Sequence, residues 1–270
     1  MVLQSRTYNA TMPLETKQVL VTVKAYPNPS KKYEETVCVA GIDLKSNQWI
    51  RLYPIPFRDL DDDKKFKKYS IIELKAEKAP ADTRPESYKV DSGSIKILEH
   101  YNTVKDKNWA LRKKIVLPTI SSSLCNILEE NKINGKSLGM FKPQHIHFVY
   151  KKVKPEKDEE RDKYYAQGNF IKKPKKAIED VPFDFRYTFS CNGRSDCPGH
   201  NLPIIDWEIF QSFRKWRWKY KDENTLLKKI SERWLNSMCS EKTDTYFYVG
   251  NMQRFRDNFM VLGVFYPPKI

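Results

Sequence analysis

Four short runs with strand-like patterning fall within residues 19–76, separated only by turns, and this spacing constrains the fold more than any other feature of the chain. Residues 19–25 (VLVTVKA) form the first, and 26–32 (YPNPSKK) interrupt it with two prolines and a lysine pair. Residues 35–42 (ETVCVAGI) and 48–53 (QWIRLY) flank a polar stretch at 43–47, the pattern of a hairpin. Residues 68–76 (KYSIIELKA) supply the fourth. A lone hairpin is marginal in water, so strands this close in sequence must pair with one another. The expectation is a small antiparallel barrel or sheet.

Farther along, 78–88 are proline-rich and irregular, and 94–100 read as another strand. Serines 121–123 can cap a helix with apolar positions Leu124, Ile127 and Leu128, ending near Asn134-Gly135. Residues 144–152 return to strand, and 183–190 form an aromatic one. Helices are expected over 206–221 and 224–238, the second with Leu227, Ile230, Trp234 and Met238 on one stripe. A long hairpin of 245–249 and 259–265 closes the chain. The stretch between is dense in both charge signs and carries Pro155 and Pro174. The expected organisation is therefore a barrel domain with one helix at 1–152, a charged linker or mobile loop at 153–180, and an α+β domain at 181–270. No internal repeat or heptad pattern is visible in the sequence.

Composition narrows the partners. Hydrophobic residues make up 40% of the chain, enough to bury a core, while 49 Lys+Arg against 34 Asp+Glu leave +15. Such a charge concentrates polyanions around the protein, and nucleic acid is the commonest in a cell, although lysine-rich codon usage has the same effect on composition. No apolar run suits a signal peptide or a spanning helix, so a soluble, cytoplasmic protein without membrane contact is expected. Five cysteines, an odd number, point to a reducing compartment without disulfides. Glycine-rich phosphate loops, a nucleophile elbow and H-E-x-x-H are all lacking, which removes the commonest catalytic classes.

Residues 38–54, CVAGIDLKSNQWIRLYP, carry Cys38, Ala40, Gly41, Trp49, Ile50 and Arg51 in a C-x-A-G…W-I-R hairpin. This resembles the opening barrel of the dual-OB-domain proteins of bacterial conflict systems, over the first third of the chain. The resemblance implies nucleic-acid or nucleotide binding by β-barrels, without defined catalytic residues, within a prokaryotic defence or nucleoprotein machine. The residues allow the same reading independently, since OB-like sheets pair a basic groove with exposed aromatics. Tyr26, Lys31, Lys32, Tyr33, Trp49, Arg51, Tyr53 and Arg58 lie on or beside the strands. In QWIRLY the period of two puts Ile50 and Leu52 on the core face and Trp49, Arg51 and Tyr53 opposite. The alternative is a tryptophan packed across strands with an arginine at the rim.

Cys191-x5-Cys197-Pro-Gly-His200 offers three metal ligands within ten residues, the last two with knuckle-like spacing. Cys239, or His145 and His147, are the candidates for a fourth position, and structural zinc is the implied cofactor. The alternative is that both cysteines are small buried residues and His200 a hydrogen-bonded turn residue. Asp206 and Glu208, with His200, raise a metal-dependent nuclease as a further reading. However, PIIDWEIFQSF reads better as a helix start, where both carboxylates favour the positive end of the dipole and point about 200° apart. The helix has Ile209, Phe213, Trp216 and Tyr220 on its core stripe, widened by Phe210. Trp207, Arg214, Trp218 and Lys221 lie opposite, with Lys215 beside them and Arg217 and Lys219 on the last turn. Tryptophans among cations suit a nucleic-acid strand, and equally a protein partner or a second copy of the chain.

The expectation is thus an α+β protein with antiparallel OB-like β-barrel elements at both ends and a helical, cysteine-bearing insertion. Its expected function is non-catalytic binding of DNA or RNA. A nuclease and a protein-docking module are the alternatives.

Overall fold

The computed structural model describes residues 13–25, 28–30, 34–154 and 179–269. The N-terminal strands are β1 (Glu15–Lys24), the short β2 (Asn28–Ser30), β3 (Glu34–Asp43), β4 (Gln48–Ile55), β5 (Ser70–Lys78) and β6 (Ser87–His100). Pairing runs β1-β5-β6-β4-β3 and returns from β3 to β1, which closes a five-stranded barrel, with β2 added outside β3. All contacts in the ring are antiparallel except β4 with β6. The interior is filled by Val19, Val21, Val39, Ile50, Leu52, Ile72 and Leu74, the inward positions of the alternating runs. Gly41 marks the crossing of β1 and β3, because a Cβ there would overlap the Leu20 carbonyl oxygen.

Two helices follow, α1 (Ala110–Val116) and α2 (Leu124–Asn134). Ser123 caps α2 by accepting the Asn126 N–H at 3.0 Å, and Gly135 ends it with φ of 77°. The remaining strands are β7 (Leu138–Phe141), β8 (Pro143–Lys152), β9 (Phe183–Cys191), β10 (His200–Pro203), β11 (Tyr246–Met252) and β12 (Phe255–Phe265). β8 pairs with β9 and β9 with β10, while β7 pairs with β11 and β11 with β12. Only Lys142 separates β7 from β8, and the parallel bridge Ile204–Val261 joins the two sheets just past β10. The strands thus form a second ring. With β2 left out and β7–β8 counted as one strand broken at Lys142, both rings run first, fourth, fifth, third, second in chain order, with the third and fifth strands parallel. Between the third and fourth strands of the second ring lie α3 (Trp207–Lys219) and α4 (Glu223–Ser231), continued by a π-turn over Glu232–Ser237.

The α+β class and the barrel follow the expectation. The sheets, however, do not divide at 152: β7 and β8 pair with C-terminal strands. The expected linker at 153–180 falls almost wholly outside the described residues. The helix expected over 224–238 ends its regular part at Ser231, where the π-turn takes over. No helix among the described residues is long and apolar enough to cross a membrane.

The two halves share one core layer, with Leu20, Val23, Tyr69 and Trp109 from the first against Met140, Tyr248, Leu262 and Phe265 from the second. Polar clamps frame it. The Arg51 guanidinium donates to Ser137 Oγ at 2.6 Å and to its carbonyl at 3.0 Å, and Glu86 accepts the Ser137 N–H and hydroxyl at 2.9 and 2.7 Å. Lys68 reaches Asp206 at 3.0 Å and Glu208 at 3.8 Å. Burial opposes the Lys68 charge, but these two carboxylates more than offset it and hold the amine protonated.

Candidate metal centre

Two distant pieces of chain converge on one point. Period-two alternation in β9 sends Phe183, Phe185, Tyr187, Phe189 and finally Cys191 inward. The turn after Cys191 brings back Cys197, whose sulfur accepts the Cys191 N–H at 3.2 Å. Pro198 and Gly199, the latter at φ of 78°, then fold the chain so that His200 opens β10 beside Phe189. The fourth group is Cys125, in the first turn of α2.

Cys125, Cys191, Cys197 and His200 place their ligand atoms within 4.8 Å of one another. His200 Nε2 lies 3.4, 3.4 and 3.3 Å from the sulfurs of Cys125, Cys191 and Cys197, and the Cys125 sulfur is 3.9 Å from each of the others. A tetrahedral ion with metal–sulfur bonds of about 2.3 Å and metal–nitrogen bonds of about 2.0–2.1 Å needs separations of about 3.8 Å between sulfurs and about 3.6 Å from sulfur to nitrogen. The five separations above come within about 0.3 Å of that requirement, the Cys191 and Cys197 sulfurs lie within 4.8 Å of each other, and the four groups could hold a metal. Cys191 is fully buried and the other three are half-buried.

The electrostatics fit as well. Burial and the adjoining thiols push Cys125 up to about 12, and burial raises Cys191. Burial also pushes on Cys197, but N–H donors from Cys191 and Gly199 bring it below the ordinary thiol value. Burial lowers His200, which favours the neutral imidazole that ligates metals. Three crowded thiols cannot all ionise without a cation among them, and a divalent ion would supply that charge.

Sequence reasoning placed Cys191, Cys197 and His200 here and missed Cys125. Cys239, expected as the fourth ligand, instead donates to the Trp234 carbonyl at 3.4 Å, its thiol raised by burial to about 12. His145 and His147 are exposed on β8, and His145 Nδ1 contacts Ser190 Oγ at 3.0 Å. The acidic set is also not assembled. Asp206 is buried, caps α3 by accepting the Glu208 N–H at 3.0 Å, and pairs with Lys68, while His200 faces the sulfurs. Among the described residues, the Cys3His group is the one that could hold a metal.

The basic-aromatic residues divide. Lys31 and Lys32, with Tyr26 and Tyr33, lie outside the described residues. Arg51 does not face solvent with Trp49 and Tyr53: it is 2% exposed, because Ser137 and Ser87 offer it buried oxygens. Trp49 is half-buried with its ring 5.7 Å from Tyr248, edge-to-face. Tyr53, Arg58 and Trp207 are half-buried. Arg214 donates to the Glu179 carbonyl and Arg217 to its carboxylate. Trp218 is 76% exposed, and Lys215, Lys219 and Lys221 are exposed around it.

Residues 120–270 match the family model described as domain of unknown function DUF8757, and residues 15–118 match that of domain of unknown function DUF8758. The chain belongs to the DUF8757 family, whose match begins just before α2 and takes in all four groups of the candidate centre. No curated protein matches the chain.

Proposed function

We propose that this chain is a non-catalytic nucleic-acid-binding protein built from two OB-type barrels, the second held together by a structural zinc ion on Cys125, Cys191, Cys197 and His200. Support for the OB reading comes from the strand order common to both rings and from the helices between the third and fourth strands of the second. The observation that carries the function is the outer face of α3. There a tryptophan left 76% exposed has the Arg217 guanidinium 4.9 Å from its ring and Lys215 and Lys219 beside it. An indole that buries nothing costs solubility, and among cations it suits base stacking alongside phosphate contact. The binding fits an accessory role within a larger nucleoprotein assembly, of which a prokaryotic defence system is one kind.

The test is a salt titration of binding to labelled single- and double-stranded DNA and RNA, with Mg²⁺ present so that cleavage is scored in the same samples. Intact substrate and steep salt dependence are expected. Combining Lys215→Ala, Trp218→Ala and Lys219→Ala should weaken binding to all sequences alike and flatten the log–log salt slope by about 1.4–1.8, roughly 0.7–0.9 per lost phosphate contact. Unchanged affinity and slope would remove α3 as the contact surface, and cleavage would replace the non-catalytic reading.

A further inference from the structure

A second site lies where the halves meet. A cleft of about 910 Å³ opens between the β3–β4 turn and residues 78–88 on one side and residues 118–138 on the other. Its volume is that of a small-molecule site. Trp49 and Tyr88 form the aromatic part of its wall, and Asn47 and Gln48 stand exposed at its rim.

The charges in the wall are unequally compensated. Asp43 accepts from the Lys45 N–H and the Ser46 hydroxyl, with Lys17 at 3.6 Å. Glu86 is taken up by Ser137, and Glu130 by Lys136 at 2.5 Å and Asn126 at 3.0 Å. Lys78, by contrast, donates to the Pro85 carbonyl and lies 4.2 Å from the Tyr88 ring centroid, and among the described residues no carboxylate pairs with it. The wall thus offers a cation for an anionic group, amides for polar edges and an aromatic surface. That combination fits a nucleotide, with Lys78 toward the phosphate and Trp49, Asn47 and Gln48 toward the base.

The wall opposite is anchored at the candidate metal centre. Cys125 is followed directly by Asn126, which accepts from Ser122 Oγ at 2.6 Å and donates to Glu130 at 3.0 Å. Ser122, Asn126 and Glu130 all line the cleft. We infer that the cleft between the two barrels is a binding site for a single nucleotide unit, with Lys78 as its phosphate contact and with α2, fixed through Cys125, as one wall. This rests on the nucleic-acid reading for the class of ligand, but it uses a surface separate from α3.

Calorimetry with AMP, GMP, CMP, UMP and adenosine, using the full chain, tests it. At least one monophosphate should bind the wild-type chain. Ser122→Trp, placed at an exposed position of the wall, should weaken that binding about tenfold or more by filling the cleft. Lys78→Ala should weaken the monophosphate but leave adenosine within about twofold, since only the phosphate contact is lost. A short oligonucleotide that binds more tightly than the monophosphates identifies a strand as the source, and one that binds no better identifies the free nucleotide. Failure of all four monophosphates to bind, or equal binding by Ser122→Trp, overturns the proposal. Long-strand binding that persists in that case leaves the α3 reading standing. Nucleotide binding that survives the loss of long-strand binding leaves the cleft standing without it.

Discussion

Replacing Cys125 with alanine isolates the metal centre from the rest of the fold. The side chain is small and half-buried, so its packing contribution is minor. What it removes is one of three sulfurs at 3.3–3.4 Å from the His200 nitrogen. The remaining set has two thiolates and an imidazole, and an ion bound there would have to recruit water. A ligand that binds only the folded state at 100 times its Kd stabilises it by about 2.7 kcal/mol. At roughly 2–4 °C per kcal/mol for a chain of this size, loss of the ion lowers Tm by about 5–10 °C. The wild-type chain purified with zinc should carry about one ion, and so should Cys239→Ala, whereas Cys125→Ala should carry little. Metal content by mass spectrometry and thermal unfolding with and without a chelator provide the readouts. Chelated wild type should melt like Cys125→Ala, and the chelator should have no further effect on that variant. Full zinc occupancy in Cys125→Ala, or none in a reconstituted wild-type chain, would refute the reasoning.

Arg51→Ala leaves the buried Ser137 carbonyl without its guanidinium donor and takes a positive charge from beside the half-buried Glu86, and should cost about 1–3 kcal/mol in denaturant unfolding while leaving the salt slope of nucleic-acid binding unchanged. Gly41→Ala forces a Cβ against the Leu20 carbonyl, for which about 1–3 kcal/mol is expected, read as a drop in denaturation midpoint at constant slope. Burial raises the Asp82 carboxyl, but the Arg84 guanidinium overrides this and brings it down to about 2. Because the folded value lies below the unfolded one, near 3.9, this contribution is present above about pH 4 and is lost as the pH falls toward about 2. Asp82→Asn should therefore be less stable than wild type at pH 7 and equal to it near pH 2. A difference that persists at the acid end would assign the effect to packing.

Much of the fold was legible as local pattern. The alternating runs at 19–25, 35–42, 48–53 and 68–76 became β1, β3, β4 and β5, because period-two apolar patterning specifies a strand with one buried face. Ser123 and Asp206 announced α2 and α3 as caps. Elements too short to show a period, β7 and β10, were invisible, as was α1, whose start is set by Asp106 accepting backbone N–H groups of Leu111 and Arg112. Strict alternation also misled at Arg51. It assumes that a barrel has an inside and a wet outside, whereas here the outside of β4 is covered by the second half of the chain.

By itself, then, the sequence determined the longer alternating strands, where the capped helices α2 and α3 begin, and that Cys197-Pro-Gly-His200 turns two ligands toward one point, since each depends on neighbours a few residues away. Tertiary structure alone decided that Cys125 joins Cys191 across 66 positions, that Cys239 does not, and that Arg51 meets Ser137 across 86. Those meetings follow from ring closure and from the shared core between the halves. A chain's local preferences do not encode which distant segment will cover a given face.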